Sequence, residues 1–327
     1  MSSKKIGIGI MGCASIAERL VIPAILEQNE RFELKAIASR SAEKAAYFAQ
    51  KFNTTGLTGY EELLTDESIE LIYMPLPTGM HEEWMMRCLD AGKHILAEKS
   101  LASDFPSAER IMAKAAEKNL LVMEDFMYRY HKQHQYTFSL LQEKALGDLR
   151  LFRSSFGFPP LDEGNFRYEA SLGGGALLDA GAYTANVSQW FLGTELSVCH
   201  SSLYIDKLKN IDIYGNATLI NPQGIIAQIS FGFDNFYQCN YEIWGSKGFL
   251  KAEKAFTPKP SEKPFIVFNN SKETVRFESE PDNHFYNILS EVHRSIINNE
   301  QVTHRDIILA QAKLLNQIRE KASLIYL

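Results

Sequence analysis

The sequence has few cysteines, few tryptophans, no run of like charge and no long uninterrupted apolar stretch. Its four cysteines (Cys13, Cys88, Cys199, Cys239) lie far apart and form no C-x-x-C pair. That pattern fits reduced thiols in a cytosol better than a disulfide framework. No apolar run approaches the ~18 residues of a membrane helix. The opening "MSSKKIGIGIMG" enters a strand pattern at once, with no leader-like apolar core before it. A soluble, cytoplasmic protein with no membrane partner is the expectation. Lys and Arg total 34 against 40 Asp and Glu, for a net charge of -6. An acidic chain without a basic run argues against general nucleic-acid binding and leaves room for one local anion pocket. There is no internal repeat or low-complexity segment, and Trp84, Trp190 and Trp244 fit core or interface packing.

What is present is a chain of 327 residues, 45% hydrophobic and 23% charged. That length supports two domains, each with its own core. Up to about residue 125, the short apolar runs "KIGIGIM", "FELKAIAS", "IELIYMP", "KHILAEK" and "LLVMED" alternate with amphipathic stretches such as "SAEKAAYFAQKF" and "HEEWMMRCLDAG". Strand and helix alternating at this spacing imply right-handed βαβ crossovers and a parallel sheet. The second half reads differently: "LRLFRSSFGF", "IDIYGNATLI", "GIIAQISFGF", "QCNYEIWG" and "GFLKAEKAF" follow one another across short turns. These suggest antiparallel hairpins. A helical segment around "GGALLDAGAYTANVSQWFLG" precedes them, a final helix is expected from about Asn283, and Thr257 to Pro264 reads as a loop. The division is therefore 1–125, an α/β domain with a parallel sheet, and 126–327, a domain of mostly antiparallel strands.

Gly7, Gly9 and Gly12 match the dinucleotide fingerprint G-x-G-x-x-G, but the first two fall inside the apolar run. If Ile6 to Met11 is the first strand, the phosphate turn is "GCASIA", Gly12 to Ala17, a small-residue variant G-x-A-x-x-A. Gly12 permits the tight turn, Ala14 lets main-chain amides approach a pyrophosphate, and Ala17 lets helix pack on strand. Ser15 offers a hydroxyl, and the amide dipoles of the helix start favour an anion. Pro23 is expected to kink or restart this helix. The next strand ends near Ala38, where a dinucleotide site reads the adenosine ribose. Ser39-Arg40-Ser41 stands there, with no carboxylate. Arg40 can fork onto a 2′-phosphate and Ser39 can donate to it, which points to NADP(H).

Function in parallel sheets lies at the carboxyl ends of strands. "IYMPLPTGMH" puts an extended loop there, with His81 at or near the next helix start. "HILAEKS" ends another strand with Glu98 and Lys99. Farther on, Asp179 and Tyr183 stand four residues apart, on one face of a helix. His131 and His134 have the H-x-x-H spacing, but no third ligand is evident nearby, so no metal is expected.

The stretches "GIMGCASIA", "IASRSAEKA", "YMPLPTGMH", "AGKHILAEKS" and "GGGALLDAGAY" resemble, in order, the glucose–fructose oxidoreductase / inositol dehydrogenase (Gfo/Idh/MocA) family of NAD(P)-dependent enzymes. The resemblance spans essentially the whole chain. It implies that 1–125 is an NADP-binding Rossmann domain and 126–327 a substrate-binding and oligomerisation domain. The latter is an α/β domain with a large, open, mostly antiparallel sheet that commonly joins dimers or tetramers. A closer likeness is to the NADP-dependent 3-ketoreductases of nucleotide-linked deoxysugar biosynthesis, carried by "GYEELLTDESIELIYMPLPTGMH", "FGFPPLDEGNFRYEASLGGGALLDAGAY" and "YEIWGSKGFLKAEKAFTPKP". This likeness implies NADP contacts from Gly12, Cys13, Ala14, Ser15, Ile16, Ala17, Glu18, Ser39, Arg40, Tyr60, Leu76, His81, Glu98, Lys99, Arg167 and Asp179. It makes Lys99 the proton donor, sets Tyr183 beside the reacting carbon, and assigns Arg19, Tyr241 and Thr257 to the nucleotide sugar. One departure is plain: the family's usual "EKP" is "EKS" here, with Ser100 in place of proline.

The implied chemistry is reduction, by NADPH, of a ketone at C3 of a nucleotide-diphosphate 6-deoxy keto sugar. Charge developing on the ketone oxygen is met by Lys99 or the Tyr183 hydroxyl, with Asp179 orienting one of them or contacting the ribose. Two other readings share parts of the pattern. One is an NADP-dependent dehydrogenase of a free aldose or dihydrodiol, in which D-x-x-x-Y also occurs. The other is a noncatalytic NADP-binding regulator, against which retention of both Lys99 and Tyr183 argues.

Overall fold

The computed structural model describes residues 4–300 and 304–327. The chain divides into two compact units, one of Met1–Phe126 with Phe285–Leu309 and the other of Met127–His284 with Ala310–Leu327.

The first unit is built on a six-stranded parallel sheet. Its strands are β1 (Ile6–Met11), β2 (Phe32–Ser39), β3 (Thr55–Thr58), β4 (Leu71–Met74), β5 (His94–Ala97) and β6 (Val122–Glu124). Their order is β3-β2-β1-β4-β5-β6, the doubly wound arrangement of dinucleotide-binding domains. Every residue of β1 and β4 is buried, as expected for central parallel strands covered on both faces. β3 has no counterpart among the apolar runs because it lies at the sheet edge with three of its four residues exposed. The crossovers are α1 (Ile22–Glu27), α2 (Ala42–Phe52), α3 (Glu61–Thr65), α4 (His81–Asp90) and α5 (Phe105–Lys118). Ser41 caps α2 by accepting from the Lys44 N–H, and Asp104 caps α5 by accepting from the Ser107 N–H. Each cap contributes about 1 kcal/mol. Asn53 and Asn119 end these two helices in the left-handed region, a conformation asparagine tolerates well.

Gly7 and Gly9 have packing roles. A Cβ on Gly7 would strike the Ser68 carbonyl, and one on Gly9 would press on Leu63 and Ile69 at 3.0–3.2 Å. They let α3 and the segment that follows it lie directly on β1.

The second unit carries α6 (Gln133–Gln142), α7 (Ala182–Leu192) and a nine-stranded mixed sheet. Its strands are β7 (Leu149–Gly157), β8 (Ser197–Asp206), β9 (Ile211–Ile220), β10 (Ile226–Gly232), β11 (Gln238–Gly245), β12 (Gly248–Ala252), β13 (Phe265–Asn270), β14 (Thr274–Glu278) and β15 (Ala322–Tyr326). The order is β14-β13-β12-β11-β7-β10-β9-β8-β15. Most pairings are antiparallel, but β10 runs parallel to β7 and β15 parallel to β8. The hairpin expectation therefore fails between β10 and β11, which are successive in sequence yet separated by β7. Alternation along a strand fixes which face is buried and not which strand lies alongside.

The expected closing helix is α8 (His284–Ile297), but α9 (Arg305–Glu320) and β15 follow it. The core of the second unit is aromatic. Tyr128 meets Phe256, Trp190 and Tyr183 with ring centroids 5.2–5.9 Å apart, and Phe191 meets Tyr241 at 5.0 Å. Trp84 is buried against Tyr60 in the first unit, whereas Trp244 is 55% exposed on the large sheet.

Candidate active site

In the first unit, β1 ends at Met11 and the chain turns at Gly12, whose φ of +126° is one that L side chains rarely adopt. A Cβ there would also lie 3.1 Å from the Leu76 side chain, so the turn can be this tight only with glycine. Gly12 N–H donates to the Ala38 carbonyl at 2.9 Å, tying the turn to the end of β2. The helix beyond begins at Ser15 and passes through a π-helical turn, Ala17–Val21, before α1. Pro23 is the second residue of α1, inside a helix that runs unbroken from Ser15. Its missing N–H removes one bond to the preceding turn, next to the π-helical widening. The widened turn closes with Ile22 N–H donating to the Ala17 carbonyl. Ser15 and Arg19 are exposed, and Cys13, Ala14 and Ile16 are half-buried. Ala17 is fully buried. The Glu18 carboxylate accepts from Tyr47 at 2.8 Å and Lys51 at 2.6 Å on α2, and Lys51 holds it below the usual carboxylate range.

At the tip of β2, Ser39 is buried and its Oγ accepts from the Ser41 N–H at 3.1 Å. Arg40 is exposed beside Tyr60; burial raises the Tyr60 hydroxyl and the guanidinium opposes that shift. Tyr60 stands edge-on to Trp84 at 4.9 Å, which fixes its ring. The Gly12 turn, the amides of the helix start and the Ser39–Arg40 tip fit an NADP(H) phosphate backbone and its 2′-phosphate.

The loops after β4 and β5 complete this half. Leu76 is buried, and α4 opens with His81, whose ring is fully buried. Its Nε2 lies 2.8 Å from the Leu76 carbonyl and its Nδ1 3.1 Å from the Leu101 carbonyl. Both nitrogens thus face main-chain carbonyls, and the ring's one N–H donates to one of them. Burial lowers its pKa. Glu98 accepts from the Tyr73 hydroxyl at 2.7 Å, and Lys99 follows at the carboxyl end of β5, half-buried. The Lys99–Ser100 peptide bond is cis.

In the second unit, Asp179 lies within a π-helical turn, Leu177–Gly181, that leads into α7. The four-residue spacing of Asp179 and Tyr183 therefore bridges a π turn and an α turn rather than one regular helical turn. Asp179 Oδ2 accepts from Arg167 Nε at 2.6 Å, with the two side chains 16% and 30% exposed. Tyr183 is buried among Phe156, Tyr128 and Phe256, with its hydroxyl 3.7 Å from Met127 Sδ. The three glycines before this helix shape its approach. Gly174 and Gly175 N–H groups donate to the Glu169 and Arg167 carbonyls, each at 3.0 Å. A Cβ on Gly174 would strike the Arg167 carbonyl, and one on Gly175 would strike the Asp212 carboxylate. Asp212 accepts from the Leu177 N–H, and burial raises its pKa.

Two residues assigned to the nucleotide sugar sit differently. Tyr241 is fully buried, and its hydroxyl is shared with Thr137 at 2.8 Å and His134 Nδ1 at 3.0 Å. This phenol is a core group here, with no free face for a ligand. Thr257 is half-buried at the start of the loop after β12, its hydroxyl 3.1 Å from that of Tyr237. His134 Nε2 lies 3.1 Å from the Ala255 carbonyl, so both its ring nitrogens are occupied. Among the described residues no group of three potential metal ligands occurs.

Tyr73, Glu124 and Asp212 were not singled out in the sequence. Each is a polar group within a mostly apolar strand pattern ("LIYM", "VME", "IDIYG"), the one local signal available.

A doubly wound parallel sheet with a glycine turn after β1 defines a dinucleotide-binding oxidoreductase fold. Residues 6–126 match the model of an oxidoreductase family with an NAD-binding Rossmann fold, and residues 134–251 match that of the GFO/IDH/MocA C-terminal domain. The chain belongs to this family. It is 37% identical over 326 residues to a dTDP-3,4-didehydro-2,6-dideoxy-alpha-D-glucose 3-reductase from Actinomadura kijaniata, covering 99% of this chain and 98% of the relative. It is 40% identical over 264 residues to the enzyme of the same name from Saccharopolyspora spinosa, covering 81% and 79%. The crystal structure of a 3-ketoreductase from Actinomadura kijaniata, in complex with NADP and TDP-benzene, superposes with a TM-score of 0.96 at 36% identity. That match covers 99% of this chain and all of the other. No helix among the described residues is long and apolar enough to cross a membrane.

Proposed function

We propose that this protein reduces the C3 ketone of a dTDP-linked 3,4-diketo-2,6-dideoxy sugar with NADPH. The observation that carries this reading is the end-to-end likeness to the dTDP-sugar 3-reductases. NADPH, when bound, supplies the hydride. The Gly12 turn and the first amides of its helix hold the pyrophosphate, while Arg40 and Ser39 take the 2′-phosphate. Lys99, at the carboxyl end of β5, gives a proton to the ketone oxygen as negative charge develops there. Tyr183 faces the reacting carbon, and Asp179 holds the Arg167 guanidinium toward the cofactor. Arg19 and Thr257 contact the nucleotide sugar. We place the enzyme in the cytoplasm as a homo-oligomer joined through its large sheet.

The test is to mix the protein with dTDP-3,4-didehydro-2,6-dideoxyglucose and NADPH, follow loss of the reduced nicotinamide, and identify the product by mass and proton spectra. Parallel incubations of free aldoses with NADP form the control. Turnover of the aldoses alone would replace the nucleotide-sugar assignment with a free-sugar dehydrogenase.

A further inference from the structure

Lys99 is followed by Ser100, so the loop bearing it lacks the φ restraint that a proline there would impose. The loop is nevertheless pinned on both sides of the lysine. Before it, the Tyr73 hydroxyl donates to Glu98 Oε1 at 2.7 Å, and the Glu98 N–H donates to the Met74 carbonyl at 3.1 Å. After it, one peptide residue is held from both its polar groups: Leu101 N–H donates to Glu124 Oε1 at 2.7 Å, and Leu101 C=O lies 3.1 Å from His81 Nδ1. The same imidazole reaches the Leu76 carbonyl at 2.8 Å through its other nitrogen. Tyr73 and His81 are fully buried and Glu124 nearly so. A neutral imidazole has one N–H, so it donates to one of these two carbonyls and holds the Leu101 carbonyl when that proton is on Nδ1.

We propose that His81 and Glu124 are positioning residues whose grip on the main chain at Leu101 fixes the direction in which Lys99 projects. With Glu98 and Leu101 both held, and the Ser100 main chain also beside the His81 ring, the Lys99 main chain lies between fixed points. A shift of the Lys99 main chain by about 1 Å, of the size that costs about 100-fold in rate at a reacting centre, disturbs these buried hydrogen bonds. The inference rests on the reading of Lys99 as proton donor.

The experiment compares Glu124→Ala, Glu124→Gln and His81→Phe with the wild-type enzyme. Three readouts are taken: hydrogen exchange at the Leu101 amide, NADPH affinity by fluorescence titration, and kcat on the dTDP keto sugar. Glu124→Ala is expected to speed Leu101 exchange by about 10-fold or more. It is expected to lower kcat by about 10- to 100-fold while NADPH affinity stays within about 2-fold. Glu124→Gln keeps an acceptor oxygen and is expected to restore most of both losses. His81→Phe keeps the ring's bulk and is expected to lose kcat alike. Should Glu124→Ala fail to fold, His81→Phe and Glu124→Gln carry the test. Wild-type exchange at Leu101, or fast exchange with full kcat, would overturn the clamp. Lys99→Met, measured alongside, separates the two ideas. If it retains full turnover, the proton-donor reading falls and takes the clamp's catalytic role with it. If it is inactive while Glu124→Ala is fully active, the clamp alone falls.

Discussion

Arg167 Nε donates to Asp179 Oδ2 at 2.6 Å, joining a short 3-10 turn to the π-helical turn that begins the α7 helix. Hydrogen bonds to charged groups are worth about 1.5–3 kcal/mol. On the proposal that Arg167 and Asp179 contact the cofactor, Asp179→Asn is expected to raise the KM for NADPH by about 10-fold or more. Arg167→Lys is expected not to substitute for arginine, because a point ammonium lacks the planar fork. Steady-state kinetics at saturating keto sugar check both, and unchanged constants in both variants would remove the pair from the cofactor site.

Arg40 stands exposed at the β2 tip between Ser39 and Ser41. Arg40→Ala is expected to raise the KM for NADPH by about 10- to 100-fold and leave that for NADH nearly unchanged. Equal effects on the two cofactors would show that Arg40 reads no 2′-phosphate.

Lys99→Met preserves length and bulk while removing the ammonium. Turnover is expected to fall by about 100- to 10,000-fold, the usual contribution of a general acid, with NADPH still binding. Single-turnover absorbance and a cofactor titration measure the two separately.

Burial holds three histidines neutral: His134 and His284 are pushed down to about 3 and His94 to about 4. In the unfolded chain each titrates near 6.5. The unfolded state thus binds more protons below that pH, and stability that is complete above about 6.5 is lost as pH falls toward the folded values. Each such proton contributes a slope of about 1.4 kcal/mol per pH unit. Urea midpoints between pH 7.5 and 4.5 should fall steeply below pH 6.5; a flat profile would contradict the burial of these rings.

Gly175 has a φ of +113°, and a Cβ there meets the Asp212 carboxylate that receives the Leu177 N–H. Gly175→Ala is expected to cost about 1–3 kcal/mol. It should lower the thermal midpoint by several degrees, by about 2–4 °C per kcal/mol for a domain of this size. Gly164→Ala, where nothing lies within 4 Å of a built Cβ, is the control and should leave the midpoint near wild type.

The first unit was the more legible of the two. Its apolar runs are the strands β1, β2, β4, β5 and β6, and β2 ends within one residue of the place where the sequence turns to Ser39-Arg40. The decision to read Gly7 and Gly9 as strand residues follows from their place in an alternating apolar run, and the packing of Ser68, Leu63 and Ile69 supplies the reason they lack side chains. In the second unit, strand patterns were visible but partners were not, so β7 standing between β10 and β11 could not be read. β15 was missed because four of its five residues are exposed and carry no burial signal.

The site divides in the same way. Residue identity and spacing located the glycine turn after β1, the arginine at the β2 tip and the lysine after β5, whereas among the contacts described Asp179 is bonded to Arg167 and the Tyr183 hydroxyl lies against Met127. Identity and spacing could not tell that the Tyr241 hydroxyl faces Thr137 and His134, or that the His81 ring is enclosed between two carbonyls.

By itself, then, the sequence determined the periodicities, the turn chemistry and the set of charged groups at strand ends, because these depend on residues near one another along the chain. The tertiary structure decided which strands pair, which polar side chains are spent inside the core, and what holds the lysine loop in place. Those outcomes depend on contacts such as Glu124 with Leu101 and Asp212 with Leu177, made between residues distant in sequence, whose burial only the folded chain defines.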